Sequence, residues 1–221
     1  MLMPGQVIRA DLTAFMWVLD TQDEKQWETT VHVLRADQRP AVPWKNGGGL
    51  TREVASAPSQ AGMSDFVWRV SLADVAEPGP FSRFEGVDRI ITLVEGPGMV
   101  LTVDGTAHTV AERYAPFAFP GEATTDCRLL GGPLVDFNVM VRRGRAAARV
   151  EMVRDRVAVS VSAPETTLLV VVLDGSAVFE ASGLVLDRFD GALITDDVQD
   201  EVLKVTGVAA LVTLASTTAG G

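Results

Sequence analysis

From residue 31 onward the chain alternates apolar and polar positions with a period of two, in short runs separated by Gly, Pro, Asn and Asp. That period places successive side chains on opposite faces of a strand. Phe66 to Ala73 sets Phe66, Trp68, Val70 and Leu72 on one face and Val67, Arg69 and Ser71 on the other, and either face could line an interior. Leu134 to Arg142 sets Asp136, Asn138, Met140 and Arg142 against Phe137, Val139 and Val141. A strand with one apolar face and one face of acid, amide, thioether and cation can line a cavity. Its ordinary alternative is a half-exposed antiparallel strand with a solvated polar face.

The same pattern predicts strands at Val31–Leu34, Leu50–Ala55, Arg89–Val94 and Cys127–Leu130, with a hairpin of Met99–Val103 and Ala107–Val110 turning at Asp104-Gly105. A further strand closes at Phe117 to Gly121. Ile91-Thr92-Leu93-Val94-Glu95-Gly96, followed by Gly105 and a strand at Phe119, has an echo in Val171-Val172-Leu173-Asp174-Gly175, followed by Gly183 and Leu193-Ile194. Such an echo predicts two copies of one β unit. Their boundary falls at Arg142 to Arg149, a stretch dense in charge and alanine that reads as a brief helix. Short strands with glycine turns point to a small barrel or jelly roll.

Between two of these strands lies Pro43-Trp44-Lys45-Asn46-Gly47-Gly48-Gly49-Leu50-Thr51-Arg52-Glu53. Asn46-Gly47 alone suffices for a tight turn, because both residues tolerate positive φ. Gly48 and Gly49 go further and let backbone N–H groups approach another group closely. The bland reading is a glycine-rich bend with Trp44 packed beneath it.

Further stretches follow in order: Trp68-Arg69-Val70-Ser71, Gly79-Pro80-Phe81-Ser82-Arg83-Phe84, Gly86-Val87-Asp88-Arg89 and Asp136-Phe137-Asn138-Val139-Met140. With Trp-Lys-Asn-Gly-Gly-Gly, they resemble the HutD/Ves family over roughly Val31 to the end. Glu85 departs from the pattern, which often has Pro there. The resemblance implies an all-β bicupin, two fused small jelly-roll-like β-barrels in one chain. It also implies an association with bacterial histidine utilisation, with urocanate or formylglutamate as candidate ligands. The expected layout is an N-terminal extension over 1–28, a first barrel carrying the motifs over 29–145, a second over 146–215 and a tail over 216–221.

Charge narrows the partners. The 221 residues carry 19 Lys and Arg against 29 Asp and Glu, a net charge of −10, which repels nucleic-acid backbones. From Val157 to Gly221 nine acidic residues stand against Arg188 and Lys204, whereas the motif region holds Lys45, Arg52, Arg69, Arg83, Arg89, Arg142 and Arg143. An acidic chain with cations among its motifs suggests a small anion held inside, where low dielectric strengthens the attraction. The apolar run Ala14 to Leu19 is too short to cross a bilayer and lacks a basic n-region, so a cytoplasmic protein is expected. The lone Cys127 cannot pair within the chain and reads as a small buried hydrophobe.

Other chemistries find little support. His32 and His108 are the only histidines and lie far apart, so neither a metal site nor any other cofactor is expected. The glycine run is not followed by Lys-Ser/Thr, which removes a phosphate-binding P-loop, and no Gly-x-Ser-x-Gly elbow occurs.

Three readings remain. In the first, the chain binds an anionic metabolite in the first barrel. Trp44 and Trp68 supply walls, Lys45, Arg52 and Arg89 supply charge, and Asn46, Asn138 and the backbone of Gly47, Gly48 and Gly49 supply hydrogen bonds. Glu53, Arg69, Ser82, Asp136 and Met140 complete that candidate set. In the second, a metal-independent enzyme acts on a small carboxylic acid, with Glu53 or Asp136 as base beside Lys45; a structural salt bridge from Arg52 or Arg142 to Glu53 or Asp136 would account for the same residues. In the third, the second barrel serves assembly, and apolar strands such as Leu168 to Leu173 offer a surface for a homodimer.

Overall fold

The computed structural model describes residues 31–161, 165–195 and 198–216. The N-terminal extension expected over 1–28, and all but the first residue of the expected tail, lie outside them. Among the described residues every regular element apart from one short 3-10 turn is a strand, as the period-two pattern predicts.

The first half builds two sheets. The larger runs in the order β2 (Val42–Pro43), β3 (Gly49–Ala57), β4 (Trp68–Val75), β11 (Leu134–Arg142), β6 (Val87–Glu95) and β9 (Pro116–Pro120). The smaller comprises β5 (Gly79–Pro80), β10 (Thr125–Leu129), β7 (Met99–Val103) and β8 (Thr106–Val110). Between them Val75, Ile91, Leu93, Leu134, Met99, Leu101 and Cys127 form one buried cluster. Asp104, at φ 44°, and Gly105, at φ 83°, make the expected turn between β7 and β8.

The second half is one six-stranded sheet. Its order is β1 (Val31–Leu34), β15 (Gly191–Ile194), β13 (Thr166–Phe179), β16 (Val198–Ser216) and β12 (Ala146–Val161), with β14 (Val185–Leu186) beside β13. Two expectations are corrected here. The stretch Val31–Leu34, expected to open the first barrel, pairs with β15 instead. Beyond β1, Asp190 accepts hydrogen bonds from Ala36 N at 2.8 Å and Arg35 Nη1 at 2.6 Å, which tie the chain to this half before it crosses. The stretch read as a helix is a turn at 143–145 that runs into β12, because Ala146 is buried in the apolar seam and Ala147 onward pairs with β16.

The echo around Gly96 and Gly175 diverges in the fold. Gly96 lies just past the end of β6, whereas Gly175 sits inside β13, paired with Gly207 of β16. Both glycines of that pair have positive φ, and a Cβ on Gly175 would meet Thr206 O at 1.8 Å. Only glycine lets the two strands bend together at that point.

The two halves meet through apolar faces. Trp68, Val70 and Leu72 of β4 and Phe137, Val139 and Val141 of β11 form one cluster with Leu169, Val171 and Leu173 of β13 and Ala210, Val212 and Leu214 of β16. Alternation then turns the opposite faces of β4 and β11 toward the smaller sheet of the first half.

Candidate functional site

The inward faces of the larger sheet can be read off the strand register. Met140 stands between Arg69 of β4 and Arg89 of β6, and Asn138 stands between Ser71 and Ile91 one step along. Asp136 stands between Ala73 and Leu93 a further step on. The interior of the first half therefore carries two cations, an acid and an amide among apolar side chains.

Arg89 is the centre of this arrangement. It is 6% exposed, and its guanidinium lies 5.3 Å from the ring centre of Phe81, 5.7 Å from Phe84 and 5.0 Å from Phe119. Three π faces stabilise a cation that has lost its water. They do not supply hydrogen-bond acceptors, and Arg89 Nε is buried without a partner. Burial lowers its pKa to about 10, the charge of Asp136 opposes that shift and the charge of Arg69 adds to it. The group stays cationic at neutral pH.

Asp136 and Asn138 show the complementary deficit. Asp136 Oδ1 and Asn138 Oδ1 are both buried and unbonded. Burial pushes the Asp136 carboxyl up to about 7, against the pull of Arg89 and with a further push from Asp74. Native interiors satisfy nearly all such atoms. An orphaned donor and two orphaned acceptors in one interior form an arrangement that a ligand with matching groups would complete.

The other polar residues are already engaged. Arg69 Nε donates to Glu53 Oε2 at 2.7 Å, and Ser56 Oγ donates to Glu53 Oε1 at 2.8 Å. Glu53 therefore meets Arg69, and the suggested set of Glu53, Asp136 and Lys45 is not assembled. Arg52 pairs with Asp74, and Arg142 holds Phe66 O at 3.1 Å and Ser64 O at 2.8 Å at the end of β11. Neither Arg52 nor Arg142 is the partner of Glu53.

The glycine loop forms a lip of the barrel. Trp44 lies edge-on to Phe81 with ring centres 6.2 Å apart, and its Nε1 donates to Thr51 Oγ1 at 2.7 Å. Asn46 Oδ1 accepts from Gly48 N at 3.1 Å, and Trp44 N and Gly49 O bond across the turn at 2.9 Å. A Cβ on Gly49 would lie 2.4 Å from Asp74 O and 3.2 Å from the Trp44 ring. This glycine serves close packing of the loop. Lys45, Asn46 and Gly47 are exposed, as is Ser82.

Of the residues expected from sequence, the structure brings Arg69, Arg89, Asp136, Asn138 and Met140 to one interior, with Glu53 joined through Arg69 and Trp44 at the lip. Trp68 faces the opposite way, into the seam between the halves. Phe81, Phe84 and Phe119 were not selected from the sequence. Two of them lie inside the quoted Gly79-to-Phe84 stretch, and the register Arg89↔Phe119 marks the third. Met140 packs with Phe66 and Val87 in a small buried cluster that Phe84 of the cage adjoins. Among the described residues no cluster of His, Cys, Asp and Glu is placed to hold a metal ion. No helix among them is long and apolar enough to cross a membrane. Surface grooves of about 520 and 580 Å³ lie elsewhere, around Arg154 and Lys204 and around Arg35 and Asp187.

The fold is that of a cupin-like β protein. Pirin YhhW from Escherichia coli, solved with nickel(II), matches with a TM-score of 0.62 at 11% identity over 85% of this chain and 100% of that one, a likeness of fold alone. The HutD family model matches residues 36–212, and the chain belongs to that family. HutD from Pseudomonas fluorescens SBW25, solved in a formate condition, matches with a TM-score of 0.75 and 35% identity over 85% of this chain and all of that one. A 21.2 kDa protein encoded in the hutC 3′ region of Pseudomonas putida is 45% identical over 55% of this chain and 63% of its own length. Protein Ves of Citrobacter koseri is 41% identical over 51% of this chain and 59% of its own. The chain thus spans about three fifths of the curated relatives it matches.

Proposed function

We propose that the chain binds a small carboxylate metabolite inside its first barrel and acts as a cytoplasmic ligand-responsive regulator associated with histidine utilisation, with urocanate and formylglutamate as candidate ligands. One observation carries the reading: a buried guanidinium, caged by three rings, has an unbonded Nε and shares its interior with two unbonded acceptor oxygens. A carboxylate would complete Arg89 through charge-assisted hydrogen bonds. An N–H on the same ligand would answer Asn138. The hutC-region relative supports the association with histidine utilisation.

Calorimetric titration of urocanate and formylglutamate into wild type and Arg89→Met tests the proposal. Binding to wild type that disappears in Arg89→Met is expected. Failure of both acids to bind wild type removes these ligands, and undiminished binding to Arg89→Met removes the site.

A second reading is favoured by Asp136, whose carboxyl titrates near neutrality in a water-poor interior. A carboxyl of that kind is suited to proton transfer. A new product signal in the NMR spectrum of a bound acid, lost in Asp136→Asn, would establish this enzyme reading over pure binding.

A further inference from the structure

We infer that the first barrel takes up its carboxylate together with one proton, which comes to rest on Asp136. The inference rests on the carboxylate-binding reading above and adds its charge balance. The groups that face Asp136 are few. Arg89 projects from β6, while Arg69 on β4 is neutralised by Glu53 of β3 at 2.7 Å. Asp74, also on β4, is paired with Arg52 on the opposite face. From β10, Cys127 faces Asp136 with its thiol pushed up to about 11 by burial, so it stays neutral.

With Asp136 ionised, as it is above its midpoint, the interior is close to neutral: one positive Arg89, one negative Asp136 and one internal ion pair. A carboxylate added at Arg89 leaves a net negative charge in a space lined by Ile91, Leu93, Met140 and the cage rings. Uncompensated buried charge is costly, and the nearest acid accepts a proton instead. Asp136 has an unbonded Oδ1 and already lies near its protonation midpoint. Protonated, it becomes a donor that can face the incoming anion.

The sign follows from linkage. Below about pH 6 the ligand-free protein already holds this proton, so binding takes up none. Above about pH 8 it must acquire the proton, and affinity falls about tenfold for each pH unit. A zwitterion would behave differently, because an ammonium group brought by the ligand would balance Asp136 without a proton.

Formate and glycine, titrated separately into the full chain by calorimetry at each pH in two buffers that both buffer at that pH and carry neither carboxylate nor phosphate, distinguish these cases. The buffers differ in ionisation enthalpy, so the difference in heat counts protons. For formate, uptake close to one proton at pH 8 and near zero at pH 5.5 is expected, with loss of both uptake and pH dependence in Asp136→Asn. The wild-type proton count stands even where that variant does not fold. Formate binding without proton uptake at pH 8 overturns this inference and leaves the binding proposal intact. Glycine binding where formate fails overturns it in favour of a zwitterion site. No binding by formate, glycine, urocanate or formylglutamate overturns both.

Discussion

Strands β11 and β13 each bury both faces, yet with opposite chemistry. In β13, Leu169, Val171 and Leu173 face the seam between the halves, and Leu168, Val170 and Val172 face the interior of the second half. In β11, Phe137, Val139 and Val141 face the same seam, but Asp136, Asn138 and Met140 face the interior of the first half. The second interior is filled by aliphatic side chains, Phe179 and small alanines. The first holds polar atoms that its own residues leave unbonded. Stability alone favours the β13 solution, because apolar burial is favourable and orphaned polar atoms are not. The first barrel thus carries a stability cost where the proposed ligand binds.

The sharpest test exchanges the two chemistries. Val170 is fully buried among Leu168, Val172 and Leu211, with no cation in its cluster. Val170→Asp should destabilise by more than about 4 kcal/mol, the scale for an unpaired charge in an apolar core. Chemical denaturation followed by circular dichroism should find little or no cooperative unfolding. A folded variant with an ordinary midpoint would dissolve the contrast.

Asp136 should respond in the opposite direction. Its carboxyl is raised from 3.8 to about 7, with burial as the main cause. The folded state therefore holds the proton more tightly than the unfolded chain, and stability is highest below the unfolded value. It falls as pH rises from about 4 through 7, by a few kcal/mol at about 1.4 kcal/mol per pKa unit. Asp136→Asn should remove that slope and be the more stable form at pH 8. Denaturant midpoints for both proteins between pH 5 and 8 measure it, and parallel curves would place Asp136 in a more polar environment.

Gly175→Ala probes the bend unique to the second half. Its positive φ and the 1.8 Å approach to Thr206 O demand backbone movement in both strands. A loss of roughly 2 to 3 kcal/mol is expected from strain at such a position. The corresponding change at Gly105, where a Cβ would meet nothing within 4 Å, should cost less despite a similar φ. Equal losses would assign the whole effect to dihedral strain.

Arg89→Met separates stability from function within the first barrel. The change removes a buried cation that lacks hydrogen bonds among the described residues and substitutes an apolar side chain that suits the three rings. Thermal unfolding should be unchanged or stabilised by about 1 kcal/mol, while carboxylate binding is lost. A large destabilisation would make Arg89 a structural residue.

The sequence made most strands legible because period-two alternation is local. It also made Arg89, Asp136 and Asn138 candidates, since polar residues on an otherwise apolar strand stand out. It did not show that Trp68 looks outward from the barrel. Trp68, Val70 and Leu72 share a face under any register, and only the apolar strands of the second half decide which side that face covers. Phe66, which the alternation groups with them, lies before β4 and packs with Met140 and Val87 instead. The place of Val31–Leu34 beside β15 was hidden for a related reason: its partner lies some 160 positions onward, and short apolar strands do not advertise their neighbours. The cage of Phe81, Phe84 and Phe119 gathers a loop and a strand around one guanidinium, a meeting that only the closed barrel creates.

Lys45 should have the smallest effect on stability. As one of only three lysines, lodged in the glycine motif, it looked like a central cation, yet it is exposed and makes no ion pair among the described residues. Exposed charges interact through water and are screened by salt. Lys45→Ala should therefore change stability by less than about 0.5 kcal/mol. At the rim it can still draw an anion toward the barrel, which would appear as a slower association rate at low ionic strength and vanish at high salt. Stopped-flow binding of a carboxylate at two salt concentrations distinguishes the roles. A rate defect confined to low salt makes Lys45 a steering charge outside the site. A loss of affinity comparable to Arg89→Met, persisting at high salt, would move the ligand from the caged guanidinium out to the glycine loop.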